Sequence, residues 1–242
     1  MAEHEHSKIL NEGAEAWNRW REENPHIRPD QSSVNFQGRN LQDYNFDNVN
    51  FANANFGEAN LQGCSFKGTN LNTAEMKELN LQGLDFSDAD LGSVSLHHSN
   101  LQQAILRKSD LSIANLVSAH LEGADLSGAI LSDANVSHAT LISATLTGAR
   151  LIHTNLFETD LRNACLHEAD LTRARFQETR FEGCQIRNTK MRLLSFASTH
   201  QPMLDGSDLI VFSKPDRLNW GLLRKIGKLP FFGVSWTAFL LS

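Results

Sequence analysis

The 242-residue sequence contains few of the features that would support a disulfide framework or a membrane span. Its three cysteines, Cys64, Cys165 and Cys184, are odd in number and lie far apart, which argues against disulfides or a zinc site and suits a reducing compartment. Because no run of about 18 apolar residues occurs, we expect no complete membrane-spanning helix. The first residues lack a basic segment followed by an apolar one, so we expect no signal peptide.

The sequence also has no large excess of charge of either sign. The net charge of -6 is too small to indicate a nucleic-acid binder by itself. The charges are nevertheless uneven, because residues 31–140 carry 12 acidic and 5 basic side chains, whereas residues 141–242 carry 9 acidic and 13 basic ones. The middle of the chain is therefore acidic, and the remainder is mildly basic.

What the sequence does contain is a repeat with a period of five residues. Each of the 33 positions spaced in this way from Phe36 to Phe196 holds Leu, Phe, Ile, Val or Met. Two residues before each of them lies a position that is small in 25 of the 33 repeats, with alanine in 16. The residue between the two is mostly Asn or Asp in the first half. This period fits neither an α-helix nor a β-strand and indicates a solenoid.

The repeat predicts a square coil. A chain that directs two of every five side chains inward must turn a corner about once per repeat, so four repeats close a coil whose neighbours stack at about 4.8 Å. Backbone groups then pair between coils, and roughly eight coils form the rod. In the most regular stretch we expect an interior built from Leu116, Leu121, Leu126, Leu131, Ala124, Ala129 and Ala134.

The repeats match a known motif, A(D/N)LXX. The matching segments are ANF at 54–56, ANL at 114–116, and ADL at 124–126 and 169–171. On these residues the chain resembles the pentapeptide repeat proteins, and its N-terminal segment resembles the helical cap of cyanobacterial members. The resemblance covers residues 34–198 and implies an all-β solenoid, the right-handed quadrilateral β-helix of that family. It says almost nothing about function.

Bulky residues interrupt the small position at a few repeats. They cluster near both ends of the repeat region, where coils are expected to dock onto caps, and two of them, Leu79 and Leu84, lie inside it. We expect a local widening of the coil at Leu79 and Leu84. The alternative is a distorted binding face.

Residues 1–30 are predicted to form an N-terminal amphipathic helix that caps the β-helix of residues 31–198, since an open coil end exposes unpaired backbone and apolar side chains. We expect one helix over residues 7–24, with Ser7 as its N-cap and Pro25 ending it. Its apolar stripe comprises Ile9, Leu10, Gly13, Ala14, Trp17 and Trp20, of which Trp17 and Trp20 are expected to lie on the first coils.

Residues 199–242 lack the repeat and predict a loop, a helix to about residue 228 and an apolar tail. Three alternatives remain open: a C-terminal cap, a membrane-proximal segment or further membrane-spanning chain, and pairing between two copies of the chain. Cationic residues followed by aromatic ones are typical of a membrane interface. The residues that would contact a membrane or partner are Arg224, Lys225, Lys228, Phe231, Phe232 and Trp236.

No arrangement of reactive side chains is evident in the sequence. The ten histidines are scattered, the GxxxxGK[ST] phosphate loop is absent, and Cys64 and Cys184 occupy the small, inward position. Outward positions are expected to lack the aromatic side chains that stack on bases, so nucleic-acid binding is not expected. We therefore predict no catalytic, cofactor-binding or metal-binding residues, and no enzyme.

The function predicted from the sequence is a non-catalytic scaffold or protein–protein interaction module. It is expected in the cytoplasm, with membrane association through the C-terminal segment as an additional feature. The resemblance supplies an alternative, since some pentapeptide repeat proteins mimic DNA and bind DNA gyrase. The acidic stretch 31–140 favours that alternative, and the change of sign after residue 140 weakens it.

Overall fold

The computed structural model describes residues 2–190, and the side chains of residues 6–190. From Asp30 to Lys190 the chain forms parallel β-bridges between residues that lie 20 apart, and these bridges fall into four columns. The chain is therefore a β-helix with four flat sides. We call the sides face 1 to face 4, and their columns begin at Asp30, Asn35, Asn40 and Asn45. Coil 1 comprises residues 30–49, coil 2 comprises residues 50–69, and the later coils follow in the same way.

The five positions of a repeat have distinct roles. The small residue is followed by the bridge residue, the inward residue and two corner residues. The N–H groups of the inward residue and the second corner residue donate to the following coil, and that of the bridge residue donates to the preceding coil. The N–H of the small residue donates to the inward carbonyl three residues earlier. Four of the five backbone donors are thus paired with backbone oxygen, as buried backbone requires.

The remaining donor explains the preference for Asn or Asp at the bridge position. It is the N–H of the first corner residue, and it donates to the side-chain oxygen of the bridge residue two positions earlier. Ser112, for example, donates to Asp110 Oδ1 at 2.9 Å, and Gly57 donates to Asn55 Oδ1 at 2.9 Å. Asn and Asp have a side chain of the right length for this local bond.

Every second corner residue from Ser33 to Asn188 has a positive φ, between 52° and 65° for the 24 non-glycine residues. The first corner residue does not, which corresponds to a type II turn. This conformation favours Gly, Asn and Asp, and Gly123 and Gly128 occupy it with φ of 66° and 68°. The corners therefore make the sides of the rod flat.

The interior is filled by the inward and small positions. Leu121, Leu126, Ala124 and Ala129 are each 0% exposed. The structure likewise buries the other residues predicted for the interior, namely Leu116, Leu131 and Ala134. Phenylalanines fill the first coils, where Phe36 and Phe56 stack with ring centroids 5.1 Å apart. Small residues are required beside the large ones because protein interiors are close-packed.

Pairing between coils is interrupted where Leu79 occupies the small position. Bridges join every pair of residues 20 apart in the described columns except Asn60 and Asn80. The N–H of Leu79 donates to Ser99 Oγ at 3.3 Å instead of to the inward carbonyl three residues earlier, that of Met76. Leu79 and Leu84 remain buried, at 4% and 6% exposure. Backbone pairing between coils 2 and 3 is thus interrupted on face 3, and the widening of the coil expected there stays a prediction.

The prediction of one N-terminal helix over residues 7–24 is wrong. The segment forms two helices, α1 (Ala2–Asn11) and α2 (Ala14–Glu23), which are separated at Gly13, whose φ is 111°. Ser7 lies inside α1 rather than at an N-cap, and its hydroxyl donates to Gln31 Oε1 at 3.1 Å. The chain turns here because Gly13 adopts a backbone conformation that other residues avoid. Helix α2 ends at Glu23, before Pro25.

Helix α2 contacts face 4 of the first coil with side chains in place of a preceding coil. Trp17 is fully buried, and its Nε1–H donates to the carbonyl of Asn45 at 2.7 Å. Asn18 Oδ1 accepts from the N–H of Asn45, and Arg21 donates to the carbonyl of Asp47 at 2.6 Å. Trp20 is partly buried against the same core. These contacts supply the partners that an end coil lacks, which is what a cap requires.

No helix among residues 2–190 is long and apolar enough to cross a membrane. The division into 1–30, 31–198 and 199–242 stays a prediction, as does the number of eight coils, because residues 191–242 lie outside the described part of the chain. The predicted C-terminal helix and its six contact residues also lie outside it.

We predict that Ala129→Leu destabilises the β-helix. Ala129 is 0% exposed between coils, so a larger side chain would overpack the interior and lower the free energy of unfolding by about 1–3 kcal/mol. Chemical denaturation of both proteins measures the difference. Gln177→Leu, at an exposed first corner, is the control and should change the stability little. Equal stability of Ala129→Leu and the unmodified chain would contradict the packing described above.

We predict opposite effects for two substitutions in the bridge column of face 1. Asp110→Ile removes the acceptor for the N–H of Ser112 and should lower the free energy of unfolding by about 0.5–1.5 kcal/mol. Ile130→Asn supplies an acceptor for the N–H of Ser132, which has none among residues 2–190, and should raise it by a similar amount. Both variants are measured by chemical denaturation. A loss of stability in Ile130→Asn would contradict this account of the bridge position.

Candidate interaction surface

Side chains that could bind a partner are confined to three columns on each face. The inward and small positions are buried, so only the bridge residue and the corner residues on either side of it reach the surface. Each face is therefore a flat grid with a spacing of about 4.8 Å along the rod. Such a surface binds through its pattern of side chains rather than through an enclosed cleft.

The histidines of the β-helix lie in outward positions and several pair locally, whereas His6 of α1 is buried beside Trp20. His138 Nδ1 lies 3.1 Å from Glu158, and His153 Nδ1 lies 3.3 Å from Asp133, in both cases with an exposed pair. His97 accepts or donates a bond with Ser95 Oγ at 3.1 Å, according to its tautomer. Within residues 6–190, no group of three or more His, Cys, Asp or Glu side chains could hold a metal ion.

The cysteines differ in accessibility. Cys64 and Cys184 are buried, and each donates its thiol to an inward carbonyl of the preceding coil, that of Leu41 or Leu161. Burial raises the pKa of both thiols to about 12, so neither forms a thiolate readily. Cys165 is half-buried at a bridge position of face 4, where its sulfur lies 3.3 Å from Thr147 Oγ1.

Ion pairs join neighbouring coils. Asp160 is 8% exposed and contacts Arg162, at 2.7 Å from Nη2, and Arg180, at 3.3 Å from Nη1. Burial alone would raise the pKa of the Asp160 carboxyl, but the hydrogen bonds and charge of Arg162 and the charge of Arg180 outweigh it and lower that pKa. Opposite charges stack in one column at Asp160–Arg180 and, more loosely, at Asp170–Lys190, where the atoms are 3.9 Å apart.

Ile113 departs from the rules that the rest of the surface follows. It is a second corner residue with φ of 61°, and its side chain is 65% exposed. A β-branched residue is strained in this conformation. Thr73, two coils earlier in the same column, is also β-branched, but its hydroxyl lies 2.6 Å from both Asn53 Oδ1 and the carbonyl of Asn72. Ile113 is aliphatic and cannot form such bonds.

Two further isoleucines lie near Ile113. Ile130 occupies the bridge position of face 1 in the next coil, and Ile152 occupies the first corner position one coil further on. Both are half-buried. We call Ile113, Ile130 and Ile152 the isoleucine patch. By the repeat geometry their Cα atoms lie within about 8–11 Å of one another.

The prediction that outward positions lack aromatic side chains is wrong at Phe157. This residue follows the inward Leu156 and occupies a first corner position, where it is half-buried. Its ring packs edge-on against His138, with centroids 5.4 Å apart. Counting positions from the inward residue would have identified Phe157 as outward. A single aromatic ring does not form the row of stacking surfaces that single-stranded nucleic acids require.

These features define the chain as a β-helix solenoid with flat faces. One family model, described as a pentapeptide repeat region, matches residues 39–116, and another, described as pentapeptide repeats (8 copies), matches residues 119–156 and 154–192. Because together these matches span more than half of the sequence, the chain belongs to the pentapeptide repeat family. No curated protein matches the chain.

Similarity to solved structures agrees with this fold. The chain is similar to HetL, a pentapeptide repeat protein involved in heterocyst differentiation regulation from the cyanobacterium Nostoc sp. strain PCC 7120, with 22% identity and a TM-score of 0.52 over 75% of this chain and 90% of HetL. It also matches trypsin-treated QnrB1, a plasmid-mediated fluoroquinolone resistance protein, with 19% identity and a TM-score of 0.41 over 87% of this chain and 100% of that one. At these identities the likeness concerns the fold alone.

We predict that Asp160→Asn destabilises the protein at neutral pH but not in acid. Loss of the charged hydrogen bonds to Arg162 and Arg180 should lower the free energy of unfolding by about 1–2 kcal/mol. Because the folded pKa of Asp160 is lowered, its stabilisation exists above the ordinary carboxyl pKa and disappears as the pH falls through the lowered value. Denaturation at several pH values measures this convergence. Asp133→Asn, at an exposed pair, should have a small effect at every pH, and a difference for Asp160→Asn that persists in strong acid would contradict the assignment.

Proposed function

We propose that the chain is a non-catalytic scaffold that binds a protein partner through the isoleucine patch. The observation that supports this most directly is Ile113, which combines 65% exposure with a strained backbone. Either feature alone lowers stability or solubility, and the corner would accept Asn or Gly without strain. An exposed β-branched residue at a corner that prefers Gly, Asn or Asp is expected where function requires it.

The chemistry of the patch fits a protein partner. Ile113, Ile130 and Ile152 present aliphatic surface on three successive coils, at the edge between faces 1 and 2, and mostly polar residues surround them. Aliphatic side chains with a polar rim are typical of the centre of a protein–protein interface. The partner is expected to bring an apolar side chain of its own, because burial of apolar area drives such contacts.

A catalytic role has less support. Pentapeptide repeat proteins are generally structural or binding proteins rather than enzymes. The two buried thiols have raised pKa values, which is the opposite of what a nucleophilic cysteine needs. The acidic and basic side chains that approach each other, such as Asp160 and Arg162, satisfy one another.

DNA mimicry also has less support. A DNA mimic needs negative charge that continues along one side of the rod, as phosphates continue along a duplex. The bridge column of face 1 instead changes from Asp110 to Ile130 and Arg150, and that of face 3 changes from Asp160 to Arg180. The alternative would be revived by inhibition or protection of purified DNA gyrase in a supercoiling assay.

Membrane association through residues 199–242 forms a second part of the proposal. Arg224, Lys225 and Lys228 precede Phe231, Phe232 and Trp236 in the sequence, an order typical of segments that contact anionic lipids. The scaffold would then act at the cytoplasmic face of a membrane. Flotation of the full chain with anionic vesicles tests this, and the triple variant Arg224→Glu, Lys225→Glu, Lys228→Glu should lose binding. Arg187→Glu is the control, and equal flotation of all three proteins would contradict the proposal.

We predict that Ile113→Asn raises stability and weakens partner binding. Relief of the strained corner should raise the free energy of unfolding by about 0.5–1 kcal/mol. A photo-crosslinking residue introduced at Ser132, between the three isoleucines, should form an adduct with one defined protein in the source cells. Mass spectrometry identifies the protein, and Ile113→Asn should reduce the adduct.

Thr73→Asn is the matched control for Ile113→Asn. It changes the other β-branched second corner residue of the same column, at φ of 57°, and lies two coils from Ile113. It should leave the adduct unchanged. An adduct of equal yield in Ile113→Asn and in the unmodified chain would show that the isoleucine patch does not bind the partner.

A further inference from the structure

Face 2 has fewer charges in its middle than any other face. In coils 4–7, Asp133 is the only Asp, Glu, Lys or Arg in its three columns. The corresponding positions hold five such residues on face 1, four on face 3 and two on face 4. Depletion of charge marks the core of protein interfaces. These columns of face 2 comprise Ser93, Ser95, His97, Ile113, Asn115, Val117, Asp133, Asn135, Ser137, His153, Asn155 and Phe157.

In the bridge column, opposite charges lie at the two ends of this stretch, and Lys77 and Arg173 occupy corner columns of the same face at those two coils. In the bridge column of face 2, Glu75 precedes Ser95 and Arg175 follows Asn155, and both charged residues are exposed. The four bridge residues between them are uncharged. Within the described side chains, neither Glu75 nor Arg175 has an ion-pair partner within 4.0 Å. The column therefore carries one unpaired acid and one unpaired base, symmetrically placed about its middle.

We propose that face 2 binds a second copy of the same chain, with the two rods antiparallel. A two-fold axis between Asn115 and Asn135 then places Glu75 of each copy opposite Arg175 of the other. Asn115 of one copy meets Asn135 of the other, so amide side chains pair in the centre. Charge complementarity selects this arrangement, because an interface of this symmetry must be complementary to itself.

The parallel arrangement is disfavoured by the same two residues. It would place Glu75 against Glu75 and Arg175 against Arg175, and such juxtapositions of like charge oppose association. In the antiparallel arrangement His97 also meets Phe157 of the other copy, which brings two rings together. The flat grid allows close approach because Asn115, Asn135 and Asn155 lie in one column of bridges.

The area of the proposed contact is small. Glu75 and Arg175 are separated by five inter-coil steps, or about 24 Å, and the three columns are about 13 Å wide. The contact thus covers about 300 Å² on each copy, well below the 800 Å² or so of a stable complex. We therefore expect weak association that weakens further as the salt concentration rises.

Analytical ultracentrifugation of the full chain tests the proposal by charge reversal. From about 10 µM to about 1 mM protein, the unmodified chain should shift from monomer to dimer. Glu75→Arg and Arg175→Glu should each weaken dimerisation by about tenfold or more, whereas the double variant, Glu75→Arg with Arg175→Glu, should restore it. Asp88→Arg and Arg187→Glu reverse exposed charges in the same two coils on other sides of the rod and should have no effect. Circular dichroism confirms that each variant is folded.

Disulfide crosslinking tests the register. In a Cys165→Ser background, the double variant Ser95→Cys, Asn155→Cys should form a crosslinked dimer on oxidation, since residue 95 of one copy lies opposite residue 155 of the other and the two lie three coils, or about 14 Å, apart within one chain. Each single cysteine variant should crosslink far less. A chain that stays monomeric over the whole concentration range would overturn the proposal, as would a dimer that neither single charge reversal weakens. Ile113 belongs to both surfaces, so a partner at the isoleucine patch would compete with dimerisation, but Glu75 and Arg175 lie outside the patch and their charge reversals test the dimer separately.

Discussion

Backbone pairing between coils is the interaction on which the rest of this structure depends. The N–H of each inward residue donates to a carbonyl of the next coil. This requires the inward residues of successive coils to lie directly above one another, as Leu121 lies above Leu101. That register forces every repeat to have the same length and the same turn. It also forces each small residue into the same crowded place, where Ala124 and Ala129 fit and leucine does not. The regularity of the sequence is therefore a consequence of hydrogen-bond geometry along the whole rod.

The same register separates stability from recognition. Two of the five positions supply the interior, and the bridge position contributes a local hydrogen bond when it holds Asn or Asp. The remaining surface is free to vary, so departures from the preferred residue types are informative. Ile113 departs from the preference at a corner, Ile130 departs from it at a bridge, and the two lie near each other. Their proximity favours a shared cause, and a common binding partner is a sufficient one.

The sequence predicted the interior of the fold well, because a period of five over 33 repeats leaves one arrangement of inward side chains. It did not predict the break at Gly13, since an apolar stripe continues across residues 9–20 whether the helix is continuous or bent. The function of Asp and Asn at the bridge position was also missed, because it depends on which backbone donor the coil leaves unpaired. Phe157 was overlooked although its position relative to Leu156 was available.

The surface patterns could not be read from composition, because they depend on which residues the coil stacks above one another. Glu75 and Arg175 lie far apart in the chain, and only the four-sided coil places them in one column with no charge between them. Charge summed along the sequence gives an acidic middle and a basic remainder, as if whole segments of the rod differed in charge. The structure distributes those charges over four faces, and several acids, such as Asp85, Asp125 and Asp160, lie beside a base. In a solenoid of this kind, the residues that form a surface lie in columns. The members of a column are 20 residues apart in the sequence, so a short stretch of sequence does not reveal them.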